Sequence, residues 1–161
     1  MVSVNTVASL MRRAGIRVHA KRRYRPTTDS SKTRVPAPNL LSRNFTTTKL
    51  NVAWLSDFTE LPCLKGKSYA VGNMDLASRR ILGHNVSRRM NTQSLIIALH
   101  RACTTRKNFQ QTIREQQTIF HSDQGSQYDS DRFRESLYMR GFRQSMSGVG
   151  NCYDNAPMES F

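Results

Sequence analysis

Three acidic residues stand at positions where a carboxylate could do chemistry. Asp57 interrupts an apolar, β-favouring run in AWLSDFTEL, Asp123 follows an apolar run in IFHSDQGSQY, and Glu159 lies in NAPMESF, at the start of a predicted helix. Carboxylates are the ligands of hard cations. Magnesium keeps several of its waters, so a polynucleotide-cleaving site needs few protein ligands, and these can come from distant parts of the chain. Two ions about 3.5–4 Å apart can clamp the attacking and leaving oxygens of an in-line phosphoryl displacement. Without cations, three clustered carboxylates would repel and raise one another's pKa, so a cluster of this kind argues for metal.

The elements that must position these acids can be read from the periodicity. Residues 52–59 form a strand in which Trp54 and Phe58 belong to the packing and Asp57 breaks the apolar run. Residues 67–75 and 80–86 are two further strands joined by a tight LASR connection, with Lys65-Gly66-Lys67 turning the chain between the first two, so an antiparallel meander is expected. Asn91 caps a helix with Leu95, Ile96, Leu99 and Cys103 on one face. Residues 118–121 form a short buried strand. Ser130 caps a helix that carries Phe133, Leu137 and Tyr138 and ends at Gly141, and residues 141–145 lead into a last strand. Asn155 as N-cap and Pro157 in the first turn put Glu159 at the opening of a final helix, where the helix dipole would itself favour a carboxylate. This pattern gives an α/β fold with a mixed sheet.

The blocks HSDQGSQY, SMSGVGNCYDNAPMESF, WLSDFTEL and YAVGNMDLASRRILG resemble the catalytic subunit of the IS-three family of bacterial insertion-sequence transposases, relatives of retroviral integrases. The likeness runs from VASLMRRAGI nearly to the end of the chain. The family's DDE triad falls on Asp57, Asp123 and Glu159, and the 35 residues between the last two are the separation that family keeps. The resemblance implies a ribonuclease-H-like fold with a mixed five-stranded sheet, in which the first and fourth strands are neighbours and bring Asp57 beside Asp123. It also implies DNA cleavage and strand transfer with two Mg2+ or Mn2+ ions, water or a DNA 3′-hydroxyl as nucleophile, and no role for Tyr128 or Tyr153 as nucleophiles. A homo-multimer holding element ends and target, and a separate helix-turn-helix subunit, are the implied partners. Compared with the family, the chain lacks the upstream helices and the continuation of the last helix, so the expected layout is a helix-turn-helix remnant with a basic segment (1–25), an extended linker (26–50) and the catalytic core (51–161). A truncated remnant that binds DNA or a full-length transposase without catalysing is the rival reading. A hydrolase of RNA–DNA hybrids shares the metal chemistry but not the SMSGVGNCYDNAPMES block.

Charge supports a polyanionic partner. The net charge is +14, and residues 1–50 carry 11 Lys/Arg against one acid, Asp29. Arg17, Lys21, Arg22, Arg23 and Arg25 form the expected phosphate grip, salt-sensitive and largely indifferent to sequence. A solvated basic tail has the same composition. Val7, Leu10, Met11 and Ala14 lie on one face of a short helix over residues 2–15. Cys63, Cys103 and Cys152 have no CxxC spacing, so neither a zinc site nor a disulfide framework is indicated, and Cys103 is expected in the core. No run approaches the ~18 apolar residues of a membrane span and no apolar signal core opens the chain, so a bacterial cytoplasmic, nucleoid-associated location is expected.

Several residues carry two readings. His121 shares a strand face with Asp123 and would either position a water or phosphate or make a structural hydrogen bond. Gln124, Gly125 and the loop to Tyr128, with Ser145, Ser147 and Asn151, either approach DNA or are ordinary loop residues. Asp75 is expected to make a turn or pair with Arg79 or Arg80, and Asp154 to organise the loop before Glu159.

Overall fold

The computed structural model describes residues 3–15, 35–64, 66–106, 117–148 and 156–159. Helix α1 covers Val4–Arg13; Ser3 Oγ accepts from Thr6 N at 3.2 Å at its start, and Gly15 follows its end at φ +70°. No residue of α1 is buried, and Val7 and Leu10 remain 45% and 55% exposed.

The remaining elements are β1 (Ala53–Cys63), β2 (Gly66–Asp75), β3 (Ile81–Ser87), α2 (Thr92–Thr105), β4 (Ile119–Ser122), α3 (Asp131–Met139), β5 (Arg143–Met146) and α4 (Ala156–Glu159). They build a five-stranded sheet ordered β3-β2-β1-β4-β5. The first three strands are the expected antiparallel meander, and β4 and β5 join parallel to β1. The predicted element order and the adjacency of the first and fourth strands both hold, and this strand order is that of the ribonuclease-H-like fold. β1 runs four residues beyond the expected end at Thr59. The reason is the hairpin with β2, which stays in register to Cys63↔Gly66, carries a Glu60–Lys67 ion pair of 2.6 Å, and closes at Gly66 with φ +112°.

The sheet is packed on both faces. On one, Trp54, Val71 and Phe120 meet Leu95, Ala98, Leu99, Ala102 and Cys103 of α2 and Phe133 and Leu137 of α3. Trp54–Phe142 (4.9 Å between ring centroids) and Phe120–Phe133 (5.4 Å) form its aromatic centre. The approach of α2 to the sheet is set at Gly83, where an added Cβ would stand 2.3 Å from Ala102 N and 2.4 Å from Ala98 O. Asn91 caps α2 as expected, its Oδ1 accepting from Ser94 N at 2.8 Å. Ser130 precedes α3, but its Oγ donates to Gln127 O instead of capping the helix. α3 ends in a Schellman arrangement, with Phe142 N bonded to Leu137 O, Gly141 N bonded to Tyr138 O, and Gly141 at φ +82°. On the second face Ala53, Leu55, Met74 and Leu76 pack with Leu41, Phe45 and Met158.

That second cluster includes part of the segment expected as a linker. Residues 26–34 lie outside the described residues, but residues 35–50 form a strap across the core. Leu41 is 7% exposed, Leu40 N donates to Ser145 Oγ at 2.9 Å, Met146 N donates to Pro38 O at 3.4 Å, and Arg134 Nη2 donates to Val35 O at 3.3 Å. The segment bends at residues 40–43, where Ser42 and Arg43 have positive φ, and Ala37, Leu41 and Phe45 give it apolar anchors.

Among the described residues, no helix is long and apolar enough to cross a membrane.

Candidate active site

The parallel β1–β4 register ends at Ser56↔Ser122, and the next residue of each segment is an aspartate, Asp57 within β1 and Asp123 just past the end of β4. Parallel neighbours lie about 4.8 Å apart, and side chains two residues apart share a face. Both acids therefore emerge side by side, on the face that carries Leu55 and His121. Asp57 is half-buried and Asp123 exposed. Each has one oxygen fixed by a nearby amide: Asp57 Oδ1 accepts from Phe58 N at 2.8 Å and Asp123 Oδ1 from Gly125 N at 3.0 Å.

The third acid is on an element brought to the same face. Asp57 pairs across β1–β2 with Gly72, and a Cβ at Gly72 would lie 3.3 Å from Met158 Cε, one residue before Glu159. Pro157 is buried. The side chain of Glu159 lies outside the described residues. Among the described residues no group of three or more His, Cys, Asp or Glu is placed to hold a metal. Two adjacent carboxylates at a sheet end are nonetheless hard oxygen donors, suited to a divalent cation.

Beneath the pair sits Tyr128, which the sequence placed in a polar loop. Its ring is 1% exposed and packs edge-on against Phe58 and Phe133, and its hydroxyl is 3.0 Å from Ser56 Oγ. Burial pushes the phenol well above its usual pKa; the Ser56 hydrogen bond draws it back, and the charges of Asp123 and Asp57 raise it further. The signal that could have found it is a lone large aromatic among small polar residues five positions after Asp123.

The neighbouring loop is held from within. Gln124 Nε2 donates to Ser147 O at 2.7 Å, and Gln144 Nε2 donates to Tyr128 O at 2.8 Å. Gly125 lies close against Asp123: a Cβ there would stand 3.0 Å from Asp123 Oδ1, so that carboxylate would have to yield.

Two expected site residues take structural positions. His121 is fully buried, with Nδ1 2.8 Å from Ser145 Oγ, which supports the hydrogen-bonding reading over the catalytic one. Ser145, for which a DNA-facing and an ordinary loop position were both open, is on β5 and 0% exposed, with its hydroxyl shared between His121 and Leu40 N, so its side chain faces the core. Asp75 stands apart from the pair. It lies on the opposite face, paired with Trp54, and is fully buried; Oδ1 accepts from Asn51 N and Oδ2 from Ser78, with Arg106 Nη2 at 3.7 Å. Arg17, Lys21, Arg22, Arg23, Arg25, Asn151 and Asp154 lie outside the described residues.

Residues 47–152 match the Integrase core domain family. The chain is 36% identical over 159 residues to Transposase InsF for insertion sequence IS3A of Escherichia coli (strain K12), covering 99% of this chain and 53% of the relative. It is 40% identical over 124 residues to the Transposase for insertion sequence element IS904 of Lactococcus lactis subsp. lactis (strain IL1403), covering 77% of this chain and 47% of that protein. The chain thus spans about half the length of these curated relatives. Its fold resembles a chain in the cryo-EM structure of the simian T-cell lymphotropic virus intasome in complex with PP2A regulatory subunit B56 gamma, with a TM-score of 0.59 at 16% identity over 71% of this chain and 38% of the other.

Proposed function

The chain belongs to the integrase core domain family, and from that premise we propose that it is the catalytic part of an IS3-type DDE transposase, acting on DNA by metal-dependent cleavage and strand transfer. The observation that carries this reading is the placement of Asp57 and Asp123 one residue past Ser56↔Ser122, on neighbouring parallel strands. Glu159, on α4, completes the proposed triad.

In this reading Asp57, Asp123 and Glu159 hold two divalent cations, Mg2+ or Mn2+. Bound there, the ions supply charge neutralisation at the scissile phosphate and lower the pKa of the attacking hydroxyl. The protein's own contribution is positional. Phe58 N and Gly125 N each fix one carboxylate oxygen, so each aspartate has its orientation set before any cation or DNA arrives. Gln124 and Gly125 border the DNA, with Asn151 and the basic segment Arg17–Arg25 gripping the duplex backbone. A homo-multimer engages element ends and target, with a separate helix-turn-helix subunit. The bacterial relatives support a cytoplasmic location.

The test is a cleavage and strand-transfer assay with manganese and duplexes taken from the DNA flanking the gene, run beside Asp123→Asn. Products from the native chain that vanish in the variant support the reading. DNA binding with no products from either protein would refute catalysis by this chain and leave a binding module.

A further inference from the structure

The core's modest positive charge hides a strong segregation. Residues 76–114 contain eight Lys/Arg and no Asp or Glu, whereas in the rest of residues 51–161 acids outnumber Lys/Arg ten to six. The acid-free stretch is β3, α2 and their flanks. Arg79, Arg80, His84, Arg88, Arg89, His100 and Arg101 are all exposed there, while Arg106 turns inward to Asp75.

These groups follow a line. β3 is the outer strand of the sheet, with Arg80 at its foot and Arg88 and Arg89 just past its head. Midway, Arg101 of α2 reaches over the edge and donates through Nη1 to His84 O at 2.8 Å. At about 3.3 Å per residue, Arg80 to Arg88 spans roughly 25 Å, against about 34 Å for one turn of B-DNA. His84, Gly72 and Asp57 lie in one row across the three strands. Arg88 and Arg89 stand beyond that row, at the sheet end where Asp57 and Asp123 emerge.

We propose that the β3–α2 flank is a DNA-binding surface separate from the N-terminal basic segment, along which the sugar–phosphate backbone of a duplex runs to the carboxylates. The proposal rests on the reading of the chain as acting on DNA and adds where a duplex lies. Guanidinium groups at the two ends of a strand edge, with one from a helix between them, recognise phosphates without reading bases, so the binding is sequence-tolerant and steep in salt. Edge strands do carry charges that block strand pairing. That accounts for the arginines at the two ends of β3 and not for the absence of acids across α2 as well. A two-fold pairing of this flank with a second copy would set arginines against arginines.

The test is equilibrium binding of the whole chain to a duplex by fluorescence anisotropy, in EDTA, between roughly 50 and 200 mM salt. In Arg88→Ala/Arg89→Ala the slope of log K against log salt should become shallower by about 2 units, near 0.9 for each phosphate no longer neutralised. Arg101→Ala should lose about 1, and Arg88→Lys/Arg89→Lys should keep the native slope. Arg132→Ala, which removes an exposed cation from α3, serves as the control and should leave the slope unchanged. A native slope in both alanine variants overturns the proposal, as does an equal loss in Arg132→Ala or a change of self-association in Arg88→Ala/Arg89→Ala seen by sedimentation. Because binding is read without metal, failure of this surface leaves the cleavage result intact, and failure of cleavage leaves the slope change intact.

Discussion

The hydroxyl of Tyr128 stands 3.0 Å from Ser56 Oγ and so ties the loop that follows Asp123 to the strand residue that precedes Asp57. The two elements carrying the paired carboxylates are thereby joined directly beneath them. Tyr128→Phe keeps the ring packing and leaves a buried serine hydroxyl short of its partner, a cost of about 1–3 kcal/mol. The expected result is a lowered denaturation midpoint together with a larger fall in cleavage rate than in duplex affinity. Equal falls in both would mean that the bond stabilises the fold without aligning the acids.

Asp57 and Asp123 should repel each other until a cation is present. Magnesium should therefore raise the melting temperature of the native chain as binding to the folded state demands, by RT ln(1 + [L]/Kd). Asp57→Asn should melt at or above the native temperature without metal and show little further rise with it. Differential scanning calorimetry with and without magnesium checks this, and an undiminished magnesium shift in the variant would remove Asp57 from the metal site.

Asp75 gives the opposite signature. It is fully buried, accepts from Asn51 N, and faces away from the carboxylate pair. Asp75→Ala should cost about 3–5 kcal/mol by stranding its donors and Arg106. Cleavage per folded molecule should survive, measured at a temperature where the variant remains native.

Glycine positions separate fold from site. Gly83→Ala drives a methyl group into the backbone of α2, 2.3 Å from Ala102 N, and should destabilise by 3 kcal/mol or more, roughly the upper end of overpacking costs. Gly125→Ala presses on Asp123 Oδ1 from 3.0 Å; it should leave the melting temperature nearly unchanged and reduce cleavage. Parallel melts and rate assays distinguish the two.

Cys103 supplies a pH prediction. Desolvation pushes its thiol up to about 11 from 9.0, partly offset by Arg140. A folded pKa raised above the unfolded one gives stability that is complete below about pH 9 and is lost as the pH rises through about 11. With Cys63 and Cys152 replaced by serine, alkylation of Cys103 at pH 8 should be negligible in the native protein and rapid in denaturant. Ready labelling of the folded form would refute the burial.

Much of this arrangement was legible in the residues. The β-favouring run of β1, the turns at Lys65-Gly66-Lys67 and LASR, the Asn91 cap and Gly141 each act locally, so the meander and the two core helices could be read before any tertiary packing was known. The pairing of Asp57 with Asp123 could not, because it depends on a parallel partner more than sixty residues away; the likeness to a known family supplied it. The burial of Ser145 and Tyr128 is hidden in the sequence for the same reason. A serine beside a glycine-rich run and a tyrosine amid Gln and Ser look solvent-facing, and only the packing of β5 and α3 buries them. The charge of the β3–α2 flank shows only when residues 76–114 are taken apart from the acid-rich remainder of the core.

The strap has a practical consequence for defining the catalytic unit. β5 is the outermost strand on its side of the sheet, and the strap meets it through Pro38 O and Leu40 N. A shortened chain beginning at residue 51 would take Pro38 O from Met146 N and Leu40 N from the Ser145 hydroxyl, and bare the apolar surface under Leu41. It would then be prone to strand-to-strand aggregation. The smallest piece that should stay monodisperse on its own begins near residue 35.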